Sequence, residues 1–335
     1  MSKTGVAVVG YGYWGPNLVR SIADNPDCDL VMVCDKRTDR LAPVKNRYPS
    51  ARCTGNFEEV LWNPSVEAVV LATPVSSHFP LAQRILSSGR HVLVEKPLST
   101  SSREARALLS LAQKKRRVLM AGHTFVYSPP VRKVKELLKR GVLGKIYTMD
   151  FSRVNLGLFQ PDVNVLWDLG PHDISIALYW LGKVPLTVRA EAKTFVQGKI
   201  EEVGYLSMEF PGGIWVRNHV SWLAPVKLRR VSVVGSRQML VYDDTDPVEK
   251  VKIYNRGVLK NPETFGEFQL TYRSGDIYSP RISSEEPLYG ECADFIRAIR
   301  AGRKPESDAH FGLQVVRVLE AAQKSLKQGG KIVRL

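Results

Sequence analysis

The sequence has few of the residues that hold small proteins together through covalent or metal links. Among 335 residues there are 4 cysteines and 6 histidines. The cysteines are Cys28, Cys34, Cys53 and Cys292. None belongs to a C-x-x-C pair, and no cluster of His and Cys has the spacing of a zinc site. These absences exclude a disulfide-stapled scaffold, and we expect free thiols, a reducing compartment and no bound metal.

Long apolar runs are also missing. No stretch reaches the roughly 18 apolar residues that a membrane-spanning helix needs. The sequence starts with Met-Ser-Lys-Thr and passes directly into a short apolar run from Val6 to Val9, which is not the pattern of a signal peptide. We therefore expect a cytoplasmic protein that does not insert into membranes.

Acidic residues are in deficit. The 48 Lys and Arg residues face 33 Asp and Glu residues, which gives a net charge of +15. Such an excess is typical of proteins that bind nucleic acids or other anions. Because the sequence has no helix-turn-helix, RNP-like motif or basic tail, we expect no nucleic-acid partner. One functional class that stays open is a non-catalytic regulator that binds a nucleotide. Among the features of the sequence, only the net positive charge favours it.

Length and periodicity predict two domains. At roughly 150 residues per domain, a chain of 335 residues suggests two. As far as residue 122, short apolar segments alternate with helical patterns, which is typical of an α/β fold with a doubly wound parallel sheet. The predicted strands are residues 5–9, 29–34, 68–72, 91–94 and 118–121. The first domain is therefore assigned to residues 1–122.

The pattern changes in residues 123–335, the predicted second domain. Alternating segments predict a large, open, mostly antiparallel sheet next to helices. Strands are predicted at residues 145–154, 186–196, 202–210, 213–221, 229–235 and 238–243, and helices at 129–140, 168–181, 288–301 and 308–327. We expect the last helix to pack back on the first domain. Residues 255–285, rich in Gly, Pro and Ser, are predicted to form a long loop.

A glycine-rich segment follows the first strand and opens a helix. It consists of Gly10, Tyr11, Gly12, Tyr13, Trp14 and Gly15. In this context G-x-G-x-x-G predicts a dinucleotide site, in which the first glycine permits the turn and the second lets a pyrophosphate approach the backbone. The third glycine brings helix and strand together, and the helix N-terminus offers free N–H groups to the phosphates.

Asp35 stands at the end of the second predicted strand. An acidic side chain there accepts the adenosine ribose hydroxyls, and its charge disfavours a 2′-phosphate. This favours NAD over NADP. The neighbours Lys36 and Arg37 leave NADP open, since either cation could pair with a phosphate.

The ends of two further strands carry polar residues. Thr73 and Pro74 follow the apolar strand at 68–72 and are expected to line the nicotinamide-ribose side. His78 lies close by, either as a ligand contact or as an ordinary residue at a helix start. Glu95-Lys96-Pro97 follows the next strand, where Lys96 is a candidate catalytic group or a surface lysine before a turn.

The segment Asp168-Leu169-Gly170-Pro171-His172 places a carboxylate and an imidazole four residues apart. On a helix the two side chains share one face, so Asp168 could orient His172 as a general base. The alternative is a helix N-cap followed by a buried structural histidine.

Together these motifs resemble the Gfo/Idh/MocA family of nicotinamide-dependent sugar and polyol oxidoreductases, and the likeness covers essentially the whole chain. The resemblance implies a Rossmann domain, NAD as cofactor, and a second domain whose sheet packs on a neighbouring subunit in a homodimer or homotetramer. It implies that Lys96, Asp168 and His172 are catalytic and that the bond between Lys96 and Pro97 is cis. Glu95, Lys96 and Pro97 are also expected to contact the cofactor.

Within the family, residues 153–164 look most like the branch that acts on nucleotide-linked sugars. This implies oxidation of the C3 hydroxyl of UDP-N-acetylglucosamine, with a downstream aminotransferase that makes 3-amino sugars for lipid A or surface glycans. Substrate contacts are expected at Lys96, Arg153, Asn155, Gln160, Asn164 and His172. An ordinary polar strand end and loop is the alternative for the four residues of this segment.

Other activities of the family stay open. These are a dehydrogenase for the uronic acid form of UDP-N-acetylglucosamine, a 3-ketoreductase of deoxysugar nucleotides, and an inositol or glucose dehydrogenase. For the oxidation, His172 is the candidate base, and Lys96 is the group that stabilises alkoxide charge. The sequence leaves open which of the two takes the proton.

Overall fold

The computed structural model describes residues 3–160, 162–260 and 270–335. The chain divides into a first unit, residues 1–128 with 285–317, and a second unit, residues 129–284 with 318–335. The predicted first domain ends at residue 122, whereas the first unit continues to residue 128. It also includes residues 285–317, which the prediction placed in the second domain. Hydrogen bonds hold them there: the Tyr127 hydroxyl donates to Asp294 over 2.9 Å, and the Thr124 hydroxyl donates to Glu291 over 2.9 Å.

Strands and helices alternate through the first unit. They are β1 (Thr4–Val9), α1 (Gly15–Ala23), β2 (Cys28–Cys34), α2 (Ala42–Arg47), β3 (Arg52–Thr54), α3 (Phe57–Trp62), β4 (Ala68–Leu71), α4 (His78–Ser87), β5 (His91–Glu95), α5 (Ser102–Lys115) and β6 (Leu119–Gly122). The pairing order is β3-β2-β1-β4-β5-β6, and every pair is parallel. All residues of β1 and β4 are buried, as expected for strands covered on both faces. The predicted doubly wound sheet is confirmed.

The second unit contains helices and a larger sheet. Continuing along the chain, the elements are α6 (Pro129–Lys139), β7 (Ile146–Val154), α7 (Val165–Asp168), α8 (Gly170–Leu181), β8 (Thr187–Lys193), β9 (Val203–Phe210), β10 (Ile214–Ser221), β11 (Leu228–Gly235), β12 (Met239–Asp243), β13 (Val251–Lys260), β14 (Leu270–Tyr278), α9 (Pro287–Ala301), α10 (Ala309–Lys327) and β15 (Val333–Arg334). Of these, α9 lies in the first unit, and the division between the units falls within α10, after Arg317.

Within the described residues, the second sheet has nine strands in the order β14-β13-β12-β11-β7-β10-β9-β8-β15. Its pairs are antiparallel except for β10 and β7, which run parallel. One face is buried under α8, where Phe151 packs against Trp180 with ring centroids 6.0 Å apart. The other face carries exposed aromatic residues, including Tyr205 and Trp215. The predicted open, mostly antiparallel sheet is confirmed.

The long loop predicted at residues 255–285 is wrong over much of its length. Strands β13 and β14 form an antiparallel hairpin there, while residues 261–269 lie outside the described part of the chain. The Gly and Ser residues that suggested a loop lie inside the strands, at Gly257, Ser274 and Gly275. Because the hairpin lies at the sheet edge, its side chains are not held to strict apolar alternation.

The helix predicted over residues 168–181 is interrupted near its start. Asp168 ends α7, Leu169 separates the elements, and α8 begins at Gly170. The cause is Pro171, in the first turn of α8, because proline has no N–H to continue the hydrogen-bond ladder. The helix stops as predicted at Gly182, which adopts a left-handed conformation with φ 61°.

No helix among the described residues is long and apolar enough to cross a bilayer.

Candidate cofactor and substrate sites

The loop between β1 and α1 needs glycine at two positions for steric reasons. Gly10 has φ 99°, and a Cβ added there would collide with the carbonyl of Ala72. A Cβ at Gly15 would collide with the carbonyl of Gly10. Gly12 differs, since the nearest atom to an added Cβ is a guanidinium nitrogen of Arg40 at 3.9 Å. Backbone at Gly12 is therefore open to a ligand, while Gly10 and Gly15 set the shape of the loop.

Asp35 is tied to this loop. Its carboxylate accepts a hydrogen bond of 2.6 Å from the backbone N–H of Tyr11 and one of 2.8 Å from the backbone N–H of Arg37. Lys36 lies beside it, exposed. The first turn of α1 begins at Trp14 without a side-chain cap, and Tyr13 next to it is 85% exposed. Open backbone, uncapped N–H groups and a fixed carboxylate fit the pyrophosphate and ribose of a dinucleotide.

His78 joins two strand ends. Its ring is buried, with Nε2 2.8 Å from the Thr73 carbonyl and Nδ1 2.8 Å from the Pro97 carbonyl. Burial lowers the pKa of His78, and a neutral ring donates to one of these carbonyls at a time. Both nitrogens thus face backbone, so His78 fastens the segment of Thr73 and Pro74, after β4, to the segment after β5.

Lys96 follows β5 and has a cis bond to Pro97, as the resemblance implies. The backbone N–H of Lys96 donates to Glu95 Oε2 over 3.2 Å. The Glu95 side chain lies over β6, where a Cβ added at Gly122 would stand 3.3 Å from Glu95 Oε1. The Glu95-Lys96-Pro97 segment is thus fixed at the carboxyl edge of the parallel sheet, where ligands of such folds bind.

Asp168 and His172 lie in the second unit, on either side of the helix break. Both are half-buried, so their side chains are neither sealed in the core nor fully exposed. Asp168 Oδ2 accepts a 3.0 Å hydrogen bond from the indole nitrogen of Trp222. Trp222 itself is buried and lies directly after β10. Sequence reasoning missed Trp222, because nothing in the local pattern connects it with a residue 54 positions earlier.

Arg153, predicted as a substrate contact, forms a buried ion pair with Asp173. Its Nε and Nη2 donate to Asp173 Oδ1 over 2.8 Å and 2.7 Å, and both residues are buried. Burial raises the pKa of Asp173 even with the guanidinium beside it. The pair fastens the first turn of α8, which carries His172, to the end of β7. Asp173 was also missed by the sequence analysis, although its position next to His172 was a signal.

The other predicted substrate contacts lie near α7. Asn164 caps that helix by accepting from the backbone N–H of Trp167, and its amide donates to Glu201 and Gln323 over 3.0 Å and 3.1 Å. These bonds commit Asn164 to the local structure. In the loop before α7, the Gln160 amide donates to the Leu158 carbonyl over 3.3 Å, and Asn155 is half-buried.

The predicted catalytic residues thus divide between the units, Lys96 in the first and Asp168 with His172 in the second. No group of three or more His, Cys, Asp and Glu residues in the described ranges could hold a metal ion.

Two family models match the chain. Residues 4–123 match the model described as oxidoreductase family, NAD-binding Rossmann fold, and residues 131–241 match the GFO/IDH/MocA C-terminal domain. Together the two matches cover most of the sequence and correspond to the parallel sheet and to much of the second sheet.

Full-length relatives include enzymes with different substrates. The UDP-N-acetylglucosamine 3-dehydrogenase of Acidithiobacillus ferrooxidans is 28% identical, with 94% of each chain covered. The scyllo-inositol 2-dehydrogenase (NADP(+)) of Bacillus subtilis is 25% identical, with 96% of this chain and 94% of the relative covered. Among solved structures, GenD2 from gentamicin A biosynthesis, in complex with NAD, is 27% identical with a TM-score of 0.84, covering 100% of this chain and 97% of that one.

Proposed function

The chain belongs to the Gfo/Idh/MocA family of oxidoreductases, and from this premise we propose that it oxidises the C3 hydroxyl of UDP-N-acetylglucosamine. Its first unit is an NAD-binding Rossmann domain. The observation that carries the substrate proposal is the full-length similarity to a UDP-N-acetylglucosamine 3-dehydrogenase. The net charge of +15 supports an anionic substrate, since a positive field attracts a diphosphate.

The proposed reaction converts a secondary alcohol and NAD⁺ into a ketone, NADH and a proton. A bound NAD⁺, which the loop of Gly10, Gly12 and Gly15 and the Asp35 carboxylate would hold, would supply the redox chemistry as the hydride acceptor. The protein must bind the sugar and remove the hydroxyl proton. His172 is the proposed general base, and Asp168, held by Trp222, is its proposed orienting group. Lys96 is proposed to stabilise the developing alkoxide charge.

Substitution of the proposed base and of the lysine tests this assignment. Lys96→Ala and His172→Ala are each expected to lower turnover roughly 10²–10⁴-fold, because a positioned acid–base group contributes about that much. NAD binding, measured by calorimetry, should persist in both variants. Unaltered turnover in both variants would exclude these two residues from the chemistry.

The substrate is tested with a panel read by the absorbance of reduced nicotinamide. The panel contains UDP-N-acetylglucosamine, its uronic acid form, scyllo-inositol, myo-inositol and glucose, each with NAD and with NADP. Reduction with UDP-N-acetylglucosamine and none with the free polyols supports the proposal. The inositols are the second candidate, because the Bacillus subtilis relative is named a scyllo-inositol dehydrogenase; reduction with an inositol alone would replace the first proposal.

The 3-keto product defines the reaction that follows. A ketone next to an N-acetyl-bearing carbon is a substrate for an aminotransferase, which would yield a 3-amino sugar for lipid A or a surface glycan. Removal of the product would also draw forward the oxidation, which is uphill near neutral pH. Coupled assays with an aminotransferase and an amino donor should therefore raise the yield of NADH.

The open face of the second sheet is proposed to pair with a second copy of the chain. It carries Tyr205 stacked on His219, with ring centroids 4.4 Å apart, and Trp215 beside the Arg217 guanidinium. Tyr205 is 55% exposed and Trp215 47%. Such clustered aromatic surface is typical of protein interfaces. Light scattering should give a dimer or tetramer for the native chain and a monomer for Trp215→Glu, whereas a monomeric native chain would refute the proposal.

A further inference from the structure

A buried polar cluster lies beside Lys96 in the first unit, and the proposed reaction does not use it. Its members are Glu95, His123 and Glu291. His123 is 1% exposed and Glu291 0%. The carboxyl of Glu95 is buried as well, although the residue as a whole is half-buried.

The fold brings the two carboxyls together from opposite ends of the chain. Glu95 ends β5 and is paired with Gly122, the last residue of β6. Two residues later Thr124 donates its hydroxyl to Glu291 Oε2, on α9. A Cβ added at Gly122 would stand 3.1 Å from Glu95 Cα and 3.2 Å from the carboxyl carbon of Glu95, closer than an ordinary contact. The missing side chain at Gly122 therefore makes room for a carboxyl over the strand.

Each carboxyl has one bonded and one unpartnered oxygen. Glu95 Oε2 accepts from the backbone N–H of Lys96, and Glu291 Oε2 accepts from Thr124. Oε1 of both residues is buried without a hydrogen-bond partner, as are both ring nitrogens of His123. A buried ionised oxygen without a partner is far more costly than a neutral one. The geometry thus favours a neutral form for at least one of the carboxyls.

The charges around the pair lead to the same conclusion. His123 is neutral, because burial and the nearby Lys96 charge lower its pKa to about 3. The Cys292 thiol, which follows Glu291, is neutral because burial and the nearby carboxyls, Glu286 among them, raise its pKa. From the start of α1 the Trp14 indole favours the charged form of Glu95, and the uncharged Phe311 ring of α10 packs against the His123 ring in a T-shaped arrangement, with centroids 5.6 Å apart. Among the described residues, Lys96 is the cation that acts on Glu95.

We propose that Glu291 is the protonated acid of the pair at neutral pH and that Glu95 is the carboxylate next to Lys96. Burial raises the pKa of both carboxyls, that of Glu95 to about 7, and the Glu95 charge raises the pKa of Glu291 further, while Lys96 favours the charged form of Glu95. Glu95 is then a positioning residue, since its carboxylate holds the peptide N–H of Lys96. Because Glu291 carries a proton, its carboxyl can pack near the Glu95 carboxylate without charge repulsion.

This inference rests on the proposed function only in the role that Lys96 receives there. Its test therefore uses neither substrate nor turnover. Protein labelled with ¹³C at the glutamate carboxyl is titrated and followed by infrared spectroscopy, in which protonated and ionised carboxyls give separate bands. We expect one glutamate of the native protein to remain protonated at pH 7, and Glu291→Gln to remove that band.

A second variant changes the neighbouring carboxyl, that of Glu95. In Glu95→Gln the glutamine amide oxygen can still accept from the Lys96 N–H, but the negative charge next to Glu291 is gone. The protonated band of Glu291 should persist and titrate at lower pH, by at least about one pH unit. Glu95→Ala should lower NAD affinity, because it leaves the Lys96 peptide unheld, whereas Glu95→Gln should preserve that affinity.

Glu286→Gln is the matched control, because Glu286 lies on the chain just before α9 and forms an exposed ion pair with Arg20. It should leave the protonated band unchanged. Absence of any protonated glutamate at pH 7 in the native protein would overturn the proposal, as would a band that survives Glu291→Gln. Should Glu291→Gln fail to fold, an unshifted band in Glu95→Gln would refute the pair. Failure of the substrate panel would leave all these results standing.

Discussion

In the first unit the candidate cofactor site is shaped by backbone: glycines that no other residue can replace, N–H groups at a helix start, and a carboxylate held by the loop. In the second unit the candidate catalytic residues are held by buried side chains, the Trp222 indole on Asp168 and the Arg153–Asp173 ion pair behind His172. The first arrangement should tolerate changes of side chain but no Cβ added at Gly10 or Gly15. The second arrangement should instead be sensitive to the loss of a buried partner side chain.

Breaking the buried ion pair should have the largest effect. Arg153→Met leaves the Asp173 carboxylate buried without its partner, and loss of one member of such a pair costs roughly 3–5 kcal/mol of unfolding free energy. Chemical denaturation measures the change. The control is Arg189→Met, which breaks the exposed ion pair with Glu191 and should cost no more than about 1 kcal/mol. Equal small effects for both variants would contradict the claim that buried side chains fix the second unit.

Two glycine variants in one loop test the role of backbone. Gly10→Ala forces a left-handed residue, which costs roughly 1–2 kcal/mol, and adds a collision with the Ala72 carbonyl. Gly12→Ala meets only an ordinary contact, with a guanidinium nitrogen of Arg40 at 3.9 Å, so thermal stability should be unchanged while NAD affinity falls. Melting curves with and without NAD separate these outcomes. Normal NAD affinity in Gly12→Ala would show that the backbone at Gly12 is not approached by the cofactor.

Acid should weaken the first unit before the second. Burial lowers the pKa of His91 to about 4 and that of His123 to about 3. Histidines with depressed folded pKa values stabilise the fold above the unfolded value of about 6.5, and this stability is lost as pH falls. For each of these histidines, the free energy of unfolding falls by up to roughly 1.4 kcal/mol for every pH unit below the unfolded pKa of about 6.5. Hydrogen exchange at pH 5 should show earlier opening of β5 and β6 than of β7 and β11.

The glutamate pair gives the same unit an opposite dependence at higher pH. Because the folded pKa values of Glu95 and Glu291 are raised, the folded state binds more protons than the unfolded chain above about pH 4.3. The contribution of the pair to stability therefore falls as pH rises. Glu291→Gln should flatten this decline, which denaturation at a series of pH values would reveal.

A small effect on stability is expected for Trp222→Phe. The ring keeps most of its packing, but Asp168 loses a 3.0 Å hydrogen bond, worth about 1 kcal/mol. Turnover should fall with little change in KM, because the proposed orienting group of His172 is loosened while substrate contacts stay. A fall in stability with unaltered turnover would assign Trp222 to packing alone.

Much of the first unit was predictable because its signals are local. A buried strand, a glycine turn and a helix follow one another within a few residues, and Asp35 ends the next strand, so chain order alone places them at one sheet edge. The hairpin of β13 and β14 was missed because edge strands with Gly and Ser lack the alternation that marks a half-buried strand. The break before α8 had a visible cause in Pro171. The four-residue spacing of Asp168 and His172 was given more weight and predicted one continuous helix.

The sequence by itself determined the α/β class, the parallel and antiparallel sheets, the dinucleotide loop and the candidate catalytic residues. Only the tertiary structure decided their partners: Asp173 for Arg153, Trp222 for Asp168, and Glu291 next to Glu95. The reason is physical. Turns and strands are set by neighbours along the chain, whereas the partner of a buried charge is set by which strands and helices pack together, and residues 20, 54 or 196 positions apart carry no common pattern.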